Sequence, residues 1–264
     1  MIGRPLGPLP MDAPVPGSSF TDLLEMMGMS AGNALPAGAT PPSVPEGTTV
    51  LALRYRGGVV LAGDRRATEG FLVAHRRIRK VFPADQFSAV AIAGTAGLAM
   101  DMVRLFQVEL EHYEKIEGIR LSLEGKASFL ARLVRGQLPM AMQGLVVVPL
   151  FAGYDDKEDR GRVYTFDVVG GRYEETDFGS TGSGSRLAKA FLRTVYEEDM
   201  PVDDATAIAV KALVAASTED TATGGPDLKR GILPNVIRID GGGLVEVSDD
   251  VILPIAEDAV ESVR

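Results

Sequence analysis

A chain of 264 residues, 45 % hydrophobic and 24 % charged, is long enough for one large domain or two small ones and can bury a sizeable core. Its net charge of −9 argues against a protein that engages nucleic acid over its whole surface. The absence of cysteine removes disulfides, thiolate nucleophiles and cysteine-based metal sites together, and two histidines, His75 and His112, leave little for a histidine metal centre; neither metal nor cofactor is expected.

Residues 1–47 hold 9 of the 16 prolines, and 1–17 are expected to be disordered. Arg4 is followed by prolines rather than an apolar run, so no secretory signal is expected. The longest apolar runs, such as 144–152, are too short to cross a bilayer, which leaves a cytoplasmic protein as the expectation. A short amphipathic helix is expected over 19–27. Ser19 and Asp22 stand at capping-box spacing, Phe20, Leu23, Leu24 and Met27 give one apolar face, and Gly28 is a plausible stop. Gly28-Met29-Ser30-Ala31-Gly32 has the letters of G-x-S-x-G. That motif works only on a turn that follows a buried strand and opens a helix; here a short helix precedes it, and Asn33 to Pro36 cannot start a good one.

At Gly47-Thr48-Thr49-Val50 the proline-rich leader meets a β-branched run. A Thr-Thr pair opening a strand is ordinary. A cut after Gly47, however, would free an α-amine beside the Thr48 hydroxyl, and such an amine can take the proton that a threonine nucleophile must lose. From Thr48 the pattern predicts strands over 48–56, 59–64, 72–82 and 88–94, with Gly57-Gly58 closing a hairpin. Helices follow over 95–117 and 122–143, with Met102, Leu105, Phe106 and Leu110 at helical spacing. Strands return at 145–153, 162–169 and 172–178, then helices at 184–198 and 203–218. Strands 234–240 and 244–247 flank Gly241-Gly242-Gly243, and a terminal helix is expected over 253–262. Strand pairs alternating with helix pairs predict an α+β layered sandwich.

Asp64 closes an apolar strand, as a turn residue or ion-pair partner would. Alternation along 72–82 puts Arg76, Ile78, Lys80 and Phe82 on one face. A lysine on a partly apolar face needs a partner, and Asp64 is the natural one. The basic run 75–80 could instead be a nucleic-acid patch, although it lacks interleaved aromatics. Ala93-Gly94-Thr95-Ala96-Gly97 marks a strand-to-helix junction whose N–H groups could hold an oxyanion, or whose glycine could serve packing alone. Thr181-Gly182-Ser183-Gly184-Ser185 lacks the lysine and spacing of a phosphate loop. Asp220-Thr221-Ala222-Thr223-Gly224-Gly225 reads as a polar turn, and His112 as a solvated helix residue.

In order, Gly47-Thr48-Thr49-Val50, Gly63-Asp64-Arg65-Arg66-Ala67-Thr68, Arg79-Lys80-Val81, Ala93-Gly94-Thr95-Ala96, Gly182-Ser183-Gly184-Ser185 and Asp220-Thr221-Ala222-Thr223-Gly224-Gly225 resemble the β-subunit of the 20S proteasome. The stretches 108–115 and 222–228 resemble its actinobacterial branch. The resemblance runs from about 47 to 247 and implies a four-layer αββα sandwich of two antiparallel sheets, the fold of N-terminal-nucleophile hydrolases. It implies that 1–47 is a propeptide cut off between Gly47 and Thr48, and that 48–264 is one domain. Thr48 would be the nucleophile of a threonine protease, with Asp64 and Lys80 in support, Gly94 N–H as oxyanion hole, and Ser183, Asp220 and Thr223 around the Thr48 amine. Ala67, Ile78, Phe82, Ile92, Ala96 and Met100 would form an apolar substrate pocket, with Thr68 and Ala96 bonding substrate backbone. The implied partners are proteasome α-subunits, other β-subunits in heptameric rings, a ring ATPase and Pup-tagged proteins. Two alternatives stay open: a non-catalytic ring subunit, and the simpler bacterial two-ring protease that pairs with an unfolding ATPase.

Overall fold

β1 (Thr49–Tyr55) and β2 (Gly58–Gly63) form the expected hairpin in antiparallel register from Val50↔Gly63 to Tyr55↔Gly58. The computed structural model describes residues 47–69 and 72–263, all within one compact unit, Pro42–Arg264. The helix expected over 19–27 and the Gly28–Gly32 motif lie outside these residues.

Both faces of the hairpin are buried, which explains its nearly unbroken apolar run. Leu51, Leu53, Val60 and Ala62 face helices, whereas Val50, Ala52, Val59 and Leu61 face a second sheet. The first sheet has the order β10-β1-β2-β11-β12, where β10 is Phe178–Gly182, β11 Asn235–Asp240 and β12 Gly243–Glu246. The second runs β5-β6-β7-β8-β9, namely Val81–Asp85, Ser88–Gly94, Val147–Asp155, Arg160–Phe166 and Arg172–Glu175. Every pairing in both is antiparallel. A core of Val50, Leu61, Ala89, Ala91, Leu150 and Ile237 joins the sheets. Helices α1 (Ala96–Glu117) and α2 (Leu123–Gly136) cover the second sheet through Phe106, Leu130 and Val134. Helices α4 (Ser185–Val195), α5 (Val202–Glu219) and α6 (Asp249–Ser262) cover the first through Leu192, Leu213 and Ile252. The result is the expected α+β sandwich in four layers.

Four elements differ from expectation. The strand expected over 72–82 is two: β4 (Leu72–His75), paired with β3 (Ala67–Glu69), and β5. Residues 76–80 leave the sheet because Ile78 N–H donates to the Arg65 carbonyl (3.0 Å) and Lys80 reaches inward, while Arg79 binds Glu246. The shared strand face expected for Arg76, Ile78 and Lys80 therefore does not exist. The helix expected to 143 ends at Gly136 and restarts as one turn, α3 (Leu138–Ala141). Pro139 lacks an N–H and would crowd the carbonyl four residues back. The strand expected over 172–178 divides into β9 and β10, which serve different sheets. The last helix begins at Asp249 and carries Pro254 inside; Asp249 and Asp250 in its first turn suit the positive end of the helix dipole.

Candidate active site

Thr48 lies where β1 begins, next to the ends of β2, β6 and β10. Its side chain is sheltered, at 5 % exposure. Its hydroxyl donates to the Gly47 carbonyl oxygen at 2.7 Å. The Lys80 ammonium donates to the same oxygen at 3.2 Å, to Asp64 Oδ1 at 2.6 Å and to the Arg66 carbonyl at 2.5 Å. Three protons thus meet three acceptors.

Asp64 has no exposed surface, yet no lone pair is wasted. Oδ1 accepts from Lys80 and from Thr49 N–H (2.9 Å); Oδ2 accepts from Arg66 N–H (2.9 Å) and Gly224 N–H (2.8 Å). A buried ion pair is tolerable when its remaining hydrogen-bonding capacity is met in this way. Burial pulls the Lys80 ammonium below the ordinary lysine range, and the Asp64 charge restores part of the difference.

A second carboxylate works on the far side of Thr48. Asp220 Oδ2 lies 2.6 Å from Ser183 Oγ and 2.5 Å from Thr223 Oγ1, and Oδ1 accepts from Ala222 N–H at 3.1 Å. Burial opposes its charge, but the Ser183 and Thr223 hydroxyls and neighbouring N–H groups outweigh that and hold its carboxyl below the ordinary aspartate range. Ser183 N–H donates to the Thr48 carbonyl at 2.8 Å. Thr49 Oγ1 accepts from Gly184 N–H at 2.9 Å and lies 2.5 Å from Thr223 Oγ1. Because an ionised carboxylate can only accept, the Thr223 proton goes to Asp220 and the Thr49 proton to Thr223.

Beside Gly47 and Thr48 opens a cavity of about 190 Å³. Ala67, Ile78, Phe82, Ile92, Ala96 and Met100 line it, together with Arg79, Lys80 and Gly94. Two glycines shape this corner. A Cβ on Gly94, whose φ is +104°, would fall 2.1 Å from the Val146 carbonyl oxygen. Ile92 N–H points toward Lys80 and Thr95 N–H toward Val146, so strand alternation turns the Gly94 N–H toward the cavity it lines. A Cβ on Gly47 would fall 2.1 Å from Thr68 Oγ1 and 2.9 Å from Ala222.

A family model described as "Proteasome subunit" matches residues 44–227. The chain belongs to the proteasome subunit family. Its relatives include proteins named "Proteasome subunit beta". That of Acidothermus cellulolyticus is 49 % identical over 264 residues, covering 96 % of this chain and 90 % of its own. That of Acidimicrobium ferrooxidans is 52 % identical over 252 residues, covering 94 % and 91 %. That of Streptomyces griseus is 50 % identical over 262 residues, covering 98 % and 93 %.

The proteasome-family match spans every candidate residue, from Gly47 to Gly224. Thr48 and Lys80 meet at the Gly47 carbonyl, with Asp64 bound to Lys80; Ser183, Asp220 and Thr223 form one cluster; six expected pocket residues share one cavity. Thr68 stands apart, against Gly47 rather than in the cavity lining. His75 and His112 take no part in these contacts.

Two residues of the site escaped the sequence reading. Arg66 caps the 220–224 turn by donating to the Thr221 carbonyl at 2.9 Å. Thr49, with no exposed surface, binds Asp64 through its N–H and Thr223 through its hydroxyl. A second hydroxyl directly after Thr48 was the available signal. Thr49→Val is expected to leave the Gly184 N–H and Thr223 hydroxyl short of a partner and to lower stability by about 1–3 kcal/mol. Denaturant unfolding measures this, and Thr49→Ser, which restores the hydroxyl, is expected to recover most of it.

Proposed function

We propose that this proteasome subunit is a threonine endopeptidase made as a precursor. The observation that carries the reading is that the Thr48 hydroxyl and the Lys80 ammonium converge on the Gly47 carbonyl oxygen. Attack of Thr48 Oγ1 on that carbonyl carbon closes a five-membered ring, with the negative oxygen facing Lys80. The Gly47–Thr48 C–N bond then breaks, and the departing nitrogen takes up the proton that the hydroxyl gives up. Water hydrolyses the resulting ester and leaves a Gly47 carboxylate and a free Thr48 amine.

In the cleaved chain that amine is the general base for Oγ1. A substrate acyl group is transferred to Oγ1, its oxyanion held by Gly94 N–H, and the protonated amine gives its proton to the leaving nitrogen. Water releases the acyl group. The apolar cavity supports cleavage after hydrophobic residues. Retention of Thr48, Asp64 and Lys80, with the lysine bonded both to Asp64 and to the Gly47 carbonyl that accepts from Thr48, speaks against a purely structural subunit. We place the enzyme in the cytoplasm, in heptameric β-rings stacked with α-subunits and served by a ring ATPase and Pup-tagged substrates. Relatives of about 50 % identity named proteasome β-subunits support the assembly. Among the described residues no helix is long and apolar enough to cross a membrane.

Co-expression with an α-subunit is expected to yield a chain beginning at Thr48, read by intact mass and N-terminal sequencing. A mature product beginning elsewhere refutes the assignment. The pH profile of kcat/KM is expected to be a bell. Activity rises as the Thr48 amine deprotonates, at or below the ordinary α-amine value of about 7.7–8.0, because the nearby Lys80 charge disfavours the ammonium. It falls as Lys80 loses its proton, below the ordinary lysine value of about 10.4 because that ammonium is buried. Asp220, held below the aspartate range, stays charged throughout and does not set the acid limb.

A further inference from the structure

Arg65, Arg66, Arg76, Arg77 and Arg79 crowd into one short stretch of a chain whose net charge is −9. Among the described residues only Arg79 of these five has a salt-bridge partner, Glu246. Three of the others turn to backbone oxygens. Arg65 donates to the Arg77 carbonyl at 3.5 Å, Arg66 to those of Thr221 (2.9 Å) and Thr223 (3.3 Å), and Arg77 to that of Arg230 at 2.6 Å. A carbonyl satisfies a donor but leaves the positive charge uncancelled. Arg65 Nε is shut off from solvent and has no hydrogen-bond partner among the described residues, a costly state for a donor. Burial, with the Arg77 and Arg79 charges, holds the Arg65 guanidinium below the ordinary arginine range, and Asp249 offsets only part of this.

Arg65, Arg66 and Arg76 line a narrow slot together with Gly224, Gly225 and Asp227. Its volume of about 40 Å³ is roughly three times what one water needs, which suits a small oxyanion and excludes a peptide. A wider hollow of about 360 Å³ adjoins it, sharing Arg76 and Ile232 and adding His75, Arg77 and Arg230. Asp227 is already engaged. Arg230 donates to its Oδ2 at 2.6 Å and, through its N–H, to Oδ1 at 3.1 Å, so its carboxyl sits below the ordinary aspartate range. The guanidiniums around the slot outnumber this one carboxylate, an excess that suits a doubly charged anion. The slot also backs onto the Asp64 corner. Arg66 and Gly224, two of its walls, donate N–H to Asp64 Oδ2 at 2.9 and 2.8 Å.

We propose that this slot binds a phosphate group, free or as the end of a small monoester, and that the bound anion braces the Arg66–Gly224 clamp on Asp64. The planar guanidinium fork matches phosphate oxygens in pairs. A phosphate supplies an acceptor for Arg65 and a second charge that a carboxylate lacks. The wider hollow gives room to the body of an ester. This site is independent of the protease reading above.

The test uses the full-length chain, freed of phosphate and held in chloride at fixed ionic strength, with inorganic phosphate, phosphoserine and acetate as probes. Calorimetry is expected to show saturable phosphate binding, with acetate weaker by about tenfold or more. Arg65→Gln and Arg76→Gln are each expected to weaken phosphate binding by about tenfold or more, whereas Arg193→Gln, exposed on α4, leaves it unchanged. Hydrogen exchange over 220–226 is expected to slow in phosphate for wild type and not for the two slot variants. Tighter binding of phosphoserine than of inorganic phosphate assigns the slot to a monoester, and the reverse order assigns it to the free ion; both support the site. Absence of saturable phosphate binding by wild type overturns the proposal, whether or not the variants fold. So does acetate binding as tight as that of phosphate. Phosphate binding that both slot variants leave unchanged marks an adventitious ion only and overturns it too. Exchange over 220–226 that phosphate leaves unaltered overturns the bracing.

Discussion

Lys80→Met is expected to abolish leader removal and to lower peptide turnover by at least about 10²–10³-fold, the usual loss when one electrostatic donor leaves a reacting oxygen. Methionine keeps the unbranched stem and its packing but delivers no proton to the Gly47 carbonyl, to Asp64 or to Arg66. Asp64 would retain three backbone donors, so the carboxylate stays partly satisfied and the fold is expected to persist. Breaking a buried pair still costs about 3–5 kcal/mol, and the melting temperature is expected to fall. Intact mass reports the leader, a fluorogenic peptide reports turnover, and circular dichroism reports the fold. A folded Lys80→Met particle with substantial activity would remove the ammonium from the mechanism.

Thr48→Ala is expected to leave residues 1–47 attached and activity absent, with little change in stability. The lost hydroxyl donates to a single acceptor, Gly47 O, which keeps Lys80 as a partner. The neighbouring network runs through Thr49 instead. Thr48→Ser, which keeps the nucleophile, is expected to restore cleavage at the same bond. Normal processing of Thr48→Ala would move the nucleophile elsewhere in the chain.

Much of this site was legible because local chemistry demanded it. The Thr48–Tyr55 run with Gly57 requires a hairpin, and a lysine in apolar surroundings requires a carboxylate, so Asp64–Lys80 could be paired from sequence. The geometric route to that pair nevertheless differs: residues 76–80 form no strand, and Lys80 turns inward because Asp64 and the Arg66 carbonyl draw it there. The ordered motifs carried what local chemistry could not. Ser183, Asp220 and Thr223 look like ordinary turn residues until the two-sheet topology brings β10 beside β1. Thr49 was missed for the same reason, its partner being 174 positions away. The last helix starts at Asp249, before the expected 253, and Ile252 and Ala256, both buried, anchor it on either side of Pro254.

The clasp around Thr48 has an order of arrival built into it. Thr49 and Asp64 are anchored by Thr223 and Gly224, which follow them by 174 and 160 positions. A ribosome makes Thr48 early and these anchors late, so a nascent chain carries an unheld hydroxyl through most of its synthesis. On the proposed mechanism, release of the leader would wait until the 220–224 turn has been made and folded onto Thr49 and Asp64.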